Sequence, residues 1–465
     1  MIKKLLSFYL LIAAFATNAI AADIQESIDS FVPFGALHIY KVSEEPKNVV
    51  LFISGDGGWN LGVIDMAKSL VNLDSMVVGI DITRYTKQLN AGSEKCIYSA
   101  AHFEALSQYL QKKYKFSQYH SPVLVGYSSG ATMVYTTLAQ TPPNTFAGGI
   151  GMGFCPDLKT AKPFCRGNGT LSSVADPKLG FIYNAVPDLV SKFYVLQGNV
   201  DQVCSTPNTR TFLSKIHNTE LIGLDKVGHG FSVEKNWMPQ FKTAFQKLIG
   251  TQQPQIKSPL SEKLTDIPLV ELPIADKSNV MAVMLSGDGG WAGIDKQVAE
   301  ALNKKGIPVV GLDSLQYFWK KKNPDIAAKD LVRILGHYSS TWGAQKFILI
   351  GYSTGADTLP FMVNRLPEEL KSKVQSVSLL GMGRNVSFEF HVANWLTSNN
   401  GLYSVIPEVQ KLKGMNVLCI YGDDDSDSGC PSIDKADFNI IKTTGGHHFS
   451  GEYEKLATTI LKFSR

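Results

Sequence analysis

"LIGYSTGAD" (residues 349–357) and "LVGYSSGAT" (124–132) decide the reading of this chain. In both, an apolar run with strand character enters Gly-x-Ser-x-Gly and leaves it on a helical pattern. One such match is weak, since roughly 0.15 arise by chance in a sequence this long. Two at corresponding places predict nucleophile elbows, in which glycines allow a tight strand-to-helix turn that lifts Ser128 and Ser353 clear of the sheet. The competing reading is a pair of ordinary glycine turns.

Three further signatures recur in the same order. "LFISGDGGW" (51–59) returns as "VMLSGDGGW" (283–291), "GNVD" (198–201) as "GDDD" (422–425), and "GHGFS" (228–232) as "GHHFS" (446–450). The separations are 232 residues from Ser54 to Ser286, 225 from Ser128 to Ser353, 224 from Asp201 to Asp425 and 218 from His229 to His447. So slow a drift is what a tandem duplication with trimmed loops leaves, and the repeat is far too long for a solenoid. β-Branched runs such as "NVMAVMLS" and "KFILIGYS" alternate with amphipathic runs such as "DKQVAEALNKKG" and "DIAAKDLVRILGHY". Continuous apolar strands belong in a parallel sheet covered on both faces. The expectation is two tandem α/β-hydrolase-like domains, each a mostly parallel sheet covered by helices, at 22–250 and 271–465. A polar, proline-containing linker at 251–270 separates them.

Residues 1–21 form a predicted signal peptide, with Lys3 and Lys4, an apolar stretch from Leu5, and a small-residue site ending at Ala21. The stretch falls short of the roughly 20 residues that span a bilayer, so cleavage near Ala21 is expected to leave an exported, soluble chain. A net charge of +4 without a basic block gives no reason to expect a nucleic-acid partner. The six cysteines lie in the exported part, where disulfides are permitted. Proximity suggests Cys155–Cys165 and Cys419–Cys430. With no CxxC or HxxxH spacing, neither a metal nor a cofactor is expected.

A serine hydroxyl needs a base to take its proton and a carboxylate to orient that base. In α/β-hydrolases these follow in the order serine, acid, histidine, on loops after later strands. The second copy offers Ser353, Asp425 and His447, and the first Ser128, Asp201 and His229. Asp423, Asp424 and Asp427 compete with Asp425, which is preferred because it stands after Gly422 as Asp201 stands after Gly198. His448 competes with His447, which aligns with His229 once Phe449 is set against Phe231. A solvated loop carboxylate and a buried structural imidazole are the bland alternatives. Candidate oxyanion donors are the amides of Ser129 and Thr354, just after each serine, and those of Asp56, Gly57, Asp288 and Gly289 in the "GDGGW" loops. The alternative for that loop is a glycine turn with Trp59 or Trp291 packed in the core.

Together, "SGDGGW", "GYSTGADTLPF", "YFWKKKNPD", "FEFHVANWL" and "GGHHFSGEYEKLA" resemble the VirJ/AcvB family of exported bacterial virulence proteins, most strongly over roughly 279–465. The first copy keeps the serine, acid and histidine but lacks the "YFWKKK" and "FEFHV" segments. Thr354 departs from the bulkier residue expected after the serine. The resemblance implies a periplasmic serine esterase that cleaves aminoacylated phosphatidylglycerol, chiefly the lysyl form, at the membrane surface, with Ser353, Asp425 and His447 as the working set. A cationic head group should meet carboxylates, for which Asp423, Asp424, Asp427 and Asp288 are candidates, with His448 beside them; an exposed acidic loop is the alternative. Tyr317, Phe318 and Trp319 could rest on an anionic lipid surface or pack in the core. Two rival functions are a binding factor that escorts secretion substrates and a nonspecific exported esterase. The C-terminal copy, with the fuller motif set, is expected to carry most of the activity.

Overall fold

The computed structural model describes residues 24–167, 170–250, 264–390 and 401–464. The predicted signal peptide, most of the linker and the end of "FEFHVANWL" lie outside the described residues. Each half builds one large sheet. The first contains β1 (Ile24–Phe31), β2 (Gly35–Lys41), β3 (Asn48–Ile53), β4 (Ser75–Ile80), β5 (Val123–Tyr127), β6 (Gly148–Met152), β7 (Phe193–Gly198) and β8 (Thr219–Leu224). Their spatial order is β1-β2-β4-β3-β5-β6-β7-β8. Only the β1/β2 and β2/β4 pairs are antiparallel. The second contains β9 (Leu269–Leu272), β10 (Val280–Leu285), β11 (Val309–Leu312), β12 (Lys346–Tyr352), β13 (Val374–Leu380), β14 (Val417–Gly422) and β15 (Asn439–Thr443). Its order is β9-β11-β10-β12-β13-β14-β15, with β9/β11 antiparallel and the rest parallel. β9 begins inside the stretch expected to be linker.

The apolar runs behave as parallel strands covered on both sides. Along β10, Met281, Val283 and Leu285 join one core cluster while Ala282 and Met284 join another on the opposite face. Burying each such side chain contributes about 1.5–3 kcal/mol, and a register slip of one residue would exchange the two cores.

The repeated "SGDGGW" loop is pinned identically in both halves. Ser54 Oγ accepts from Ile82 N (3.1 Å) and Ser286 Oγ from Ser314 N (2.8 Å). Trp59 and Trp291 lie on the neighbouring strands, where a Cβ on Gly79 or Gly311 would fall 2.1 or 2.3 Å from the indole. Both tryptophans therefore pack inward, as the structural alternative had it, and in doing so fix the loop in front of the elbow.

The two halves meet through the "YFWKKK" segment. Trp319 is buried, its Nε1 donating to Phe116 O (2.8 Å), with Gln316 Nε2 donating to Tyr119 O (2.7 Å) and Lys112 Nζ to Trp319 O. The ring stacks on Phe390 of the "FEFHV" segment (5.6 Å). Tyr317 and Phe318 are also buried, at 2 % exposure each, so these aromatics are interface and core rather than a membrane-resting surface.

All six cysteines are paired: Cys96–Cys165, Cys155–Cys204 and Cys419–Cys430. The expected Cys155–Cys165 pair is corrected, because Cys165 is held beside Cys96 by Cys165 N→Ile97 O (2.8 Å), while Cys155 faces the acid loop of its own half.

Candidate active site

Ser128 and Ser353 each sit between a strand end and a helix, Ser129–Gln140 and Thr354–Asn364, with φ 56°, ψ −122° and φ 52°, ψ −122°. A non-glycine residue there carries about 1–3 kcal/mol of strain, which persists only where the surroundings impose it. They do so through the flanking glycines. A Cβ on Gly126 would fall 2.1 Å from Gly130 O, and one on Gly351 2.4 Å from Gly355 O. The serine amides are tied across the sheet to Met152 O (2.8 Å) and Leu380 O (2.9 Å). Both turns are elbows, not ordinary turns.

In the first half the expected triad is assembled. His229 Nε2 lies 2.9 Å from Ser128 Oγ, and His229 Nδ1 lies 2.9 Å from Asp201 Oδ2. Asp201 is further held by Gln197 Nε2 (3.0 Å) and by the amides of Val203 (2.8 Å) and Cys204 (2.9 Å), the latter from the disulfide cysteine.

In the second half the structure brings together His447 and Asp425, with His447 Nδ1 2.9 Å from Asp425 Oδ2. No hydrogen bond joins Ser353 Oγ to His447 or His448 among the described residues. The two imidazoles nevertheless occupy matching places: a Cβ on Gly153 would meet His229 Cε1 at 3.1 Å, and one on Gly381 would meet His447 Cε1 at 2.9 Å. Catalytic hydrogen bonds are often long before substrate binds. Burial pulls the His447 imidazole down, but the hydrogen bond and charge of Asp425, with Asp357 and Asp288 behind them, prevail and hold it above the usual value. His448 is turned aside, its Nδ1 2.9 Å from Tyr352 Oη, and burial with the His447 charge lowers it.

The glycine loops lie directly against the nucleophiles. A Cβ on Gly55 would stand 3.0 Å from Ser128 Cβ, and one on Gly287 3.3 Å from Ser353 Cβ. This places Asp56, Gly57, Asp288 and Gly289 beside the serines, opposite Ser129 and Thr354 at the helix starts. In the first half Ser129 Oγ also donates to Asp56 Oδ1 (2.8 Å), tying loop to elbow.

Ser353, His447 and Asp425 open into one cavity of about 1710 Å³, lined by both halves. Asp288, Asp427 and His448 also line it. Asp423 and Asp424 do not: Asp423 accepts from Gly445 N (2.7 Å) and borders a separate depression, while Asp424 is exposed. Among the lining carboxylates that the sequence reading missed are Asp357, Asp295 and Glu104. Asp357 accepts from Gly383 N (2.6 Å), and burial, only partly opposed by that bond, pushes it up to about 7. The signal was present in the repeat itself, since Asp357 stands where the first copy has Thr132, and Asp295 where it has Val63.

A family model described as "Bacterial virulence protein (VirJ)" matches residues 47–147 and 279–465. The chain belongs to the VirJ family. Within this VirJ protein the second match contains all of Ser353, Asp425 and His447, whereas the first reaches Ser128 but ends before Asp201 and His229. Among solved structures it is similar to the esterase domain of a Rhodothermus marinus protein (14% identity, 49% of this chain, 98% of that one, TM-score 0.33). It is also similar to an alpha-beta serine hydrolase homologue from Coxiella burnetii (15%, 50% and 97%, 0.30) and to a dienelactone hydrolase from Anabaena variabilis (14%, 49% and 98%, 0.35). No curated protein matches the sequence.

Proposed function

We propose that this VirJ protein is an exported serine hydrolase whose C-terminal site cleaves the ester between an amino acid, chiefly lysine, and the glycerol of aminoacylated phosphatidylglycerol. The observation that carries the reading is Ser353 on a strained elbow, sharing one carboxylate-walled cavity with the His447–Asp425 pair. Ser353 Oγ attacks the aminoacyl carbonyl while His447 takes its proton. The oxyanion is received by the amides of Thr354, Asp288 and Gly289. Collapse expels the glycerol oxygen, which takes the proton from His447, and leaves an aminoacyl-serine. Water, deprotonated by His447, then attacks that ester and frees the amino acid and Ser353. Three disulfides and the absence of free cysteines among the described residues support an oxidising, periplasmic compartment. No described helix is long and apolar enough to cross a membrane.

The unmade Ser353–His447 bond favours a second reading, in which the cavity holds a secretion partner without turning it over. Lipids extracted from cells carrying Ser353→Ala separate the two. Accumulated aminoacyl lipid is the expected result; unchanged lipids with impaired secretion would make the protein an escort.

A further inference from the structure

The C-terminal cavity is completed by the first half of the chain. Helix Ser99–Lys113 brings Glu104 into the lining, where its Oε1 stands 3.6 Å from the place a Cβ on Gly289 would take. Gly289 follows Asp288 in the loop whose Gly287 packs against Ser353. Against that loop lies Asp295, 3 % exposed and also lining the cavity; its carboxylate accepts from the backbone N–H of Gly287, while its Oδ1 has no hydrogen-bond partner among the described residues. Burial and the charge of Asp288 push Glu104 up to about 8, and burial with the charges of Asp313 and Asp288 holds Asp295 far above the usual carboxylate range. Lys296, the adjacent cation in the lining, is turned toward Glu300 (3.9 Å).

Buried carboxylates are unfavourable unless something neutralises them. The elbow does not require Asp295, because the first half keeps its triad with Val63 in that place. An ammonium group offers three N–H donors and one positive charge, which suits three carboxylates around one loop. We propose that Glu104, Asp288 and Asp295 form a binding site for the side-chain ammonium of the acyl group, so that the first domain completes the specificity pocket of the second. The site takes the side-chain ammonium rather than the α-ammonium because Glu104 reaches the loop at Gly289, two residues beyond the glycine that touches Ser353. This inference rests on the aminoacyl-ester reading above.

The test uses the full chain carrying Ser353→Ala, with the glyceryl esters of lysine and of norleucine, which share one carbon skeleton and differ in the terminal ammonium. Calorimetry should find the lysyl ester bound about tenfold more tightly, as loss of one charged hydrogen bond implies. Adding Glu104→Gln should bring the two affinities to within about twofold, while Glu104→Asp, which keeps the charge, should retain a preference. Equal affinities in Ser353→Ala alone, a comparison that does not depend on how any Glu104 variant folds, would overturn the proposal, as would a preference that survives Glu104→Gln. Hydrolysis is measured separately on the wild-type chain. Failure to cleave either ester would remove the esterase reading, and a lysyl binding preference would still leave the ammonium site standing.

Discussion

Replacing Ser353 with glycine should stabilise its domain relative to replacing it with alanine. Both substitutions delete the hydroxyl, so the difference isolates the backbone. At φ 52°, ψ −122° a residue with a Cβ carries about 1–3 kcal/mol of strain that glycine escapes. Glycine in turn gives up about 0.4–1 kcal/mol through the greater freedom of its unfolded chain. It also forfeits the few Cβ contacts against the Gly287 loop, at about 0.1–0.2 kcal/mol each. Taken at mid-range, these terms leave glycine a net advantage of about 1 kcal/mol, which for a domain of this size raises its melting transition by about 2–4 °C. Differential scanning calorimetry of Ser353→Gly and Ser353→Ala reads this directly. Ser128→Gly and Ser128→Ala repeat the comparison in the other half, whose serine has φ 56° and ψ −122°. If alanine melts with glycine or above it in both halves, the elbow is not strained and the reasoning from the flanking glycines fails.

Asp425→Asn should lower turnover by about 10³–10⁴-fold, since the imidazole then loses the carboxylate that fixes its tautomer; a loss below about tenfold would show that Asp425 does not orient His447. The general base must be neutral, so the acid limb of the kcat/KM profile should have its midpoint above the ordinary imidazole value of 6.5, and in Asp425→Asn, where burial is left to dominate, the midpoint should move down. By linkage, protonated His447 stabilises the fold fully below 6.5, and that contribution is lost as pH rises through the raised value; denaturation at stepped pH follows it. Trp319→Ala should weaken domain docking by about 3–5 kcal/mol, read as two separated calorimetric transitions and a larger radius of gyration by solution scattering; an unchanged profile would mean that the aromatic interface does not hold the halves together.

The elbows were legible because their requirement is steric: only glycine permits the approach of Gly126 to Gly130 and of Gly351 to Gly355, and the demand is written as a pattern in the sequence. Asp425 and His447 were legible because each copy served as a template for the other, which also rejected Asp423, Asp424 and His448. Periodicity could not supply the partners of buried faces. It marks Trp319 as apolar without saying that Phe116 and Phe390 cover it, and so left a membrane surface open. Cysteine spacing succeeded for Cys419–Cys430 and failed for Cys155–Cys165, since nearness along the chain is not always nearness in space: Cys165 finds Cys96, 69 residues away. Of the acidic wall only Asp288 and Asp427 were legible, from the "GDGGW" and "GDDDSDSG" loops; Asp357, the last residue of the stretch that revealed the nucleophile, and Asp295 lie on helices whose packing turns them to the cavity. Glu104 carries no local signal, being placed by the docking of one half on the other.

The central claim is that Ser353 performs acyl transfer in the cavity closed by both halves. Release of free lysine from defined lysyl-phosphatidylglycerol vesicles, followed with purified wild-type, Ser353→Ala and Ser128→Ala proteins, tests it most directly. The expected result is that Ser353→Ala abolishes release while Ser128→Ala keeps most of it. Release that disappears in Ser128→Ala and persists in Ser353→Ala would assign the chemistry to the other half and contradict the account.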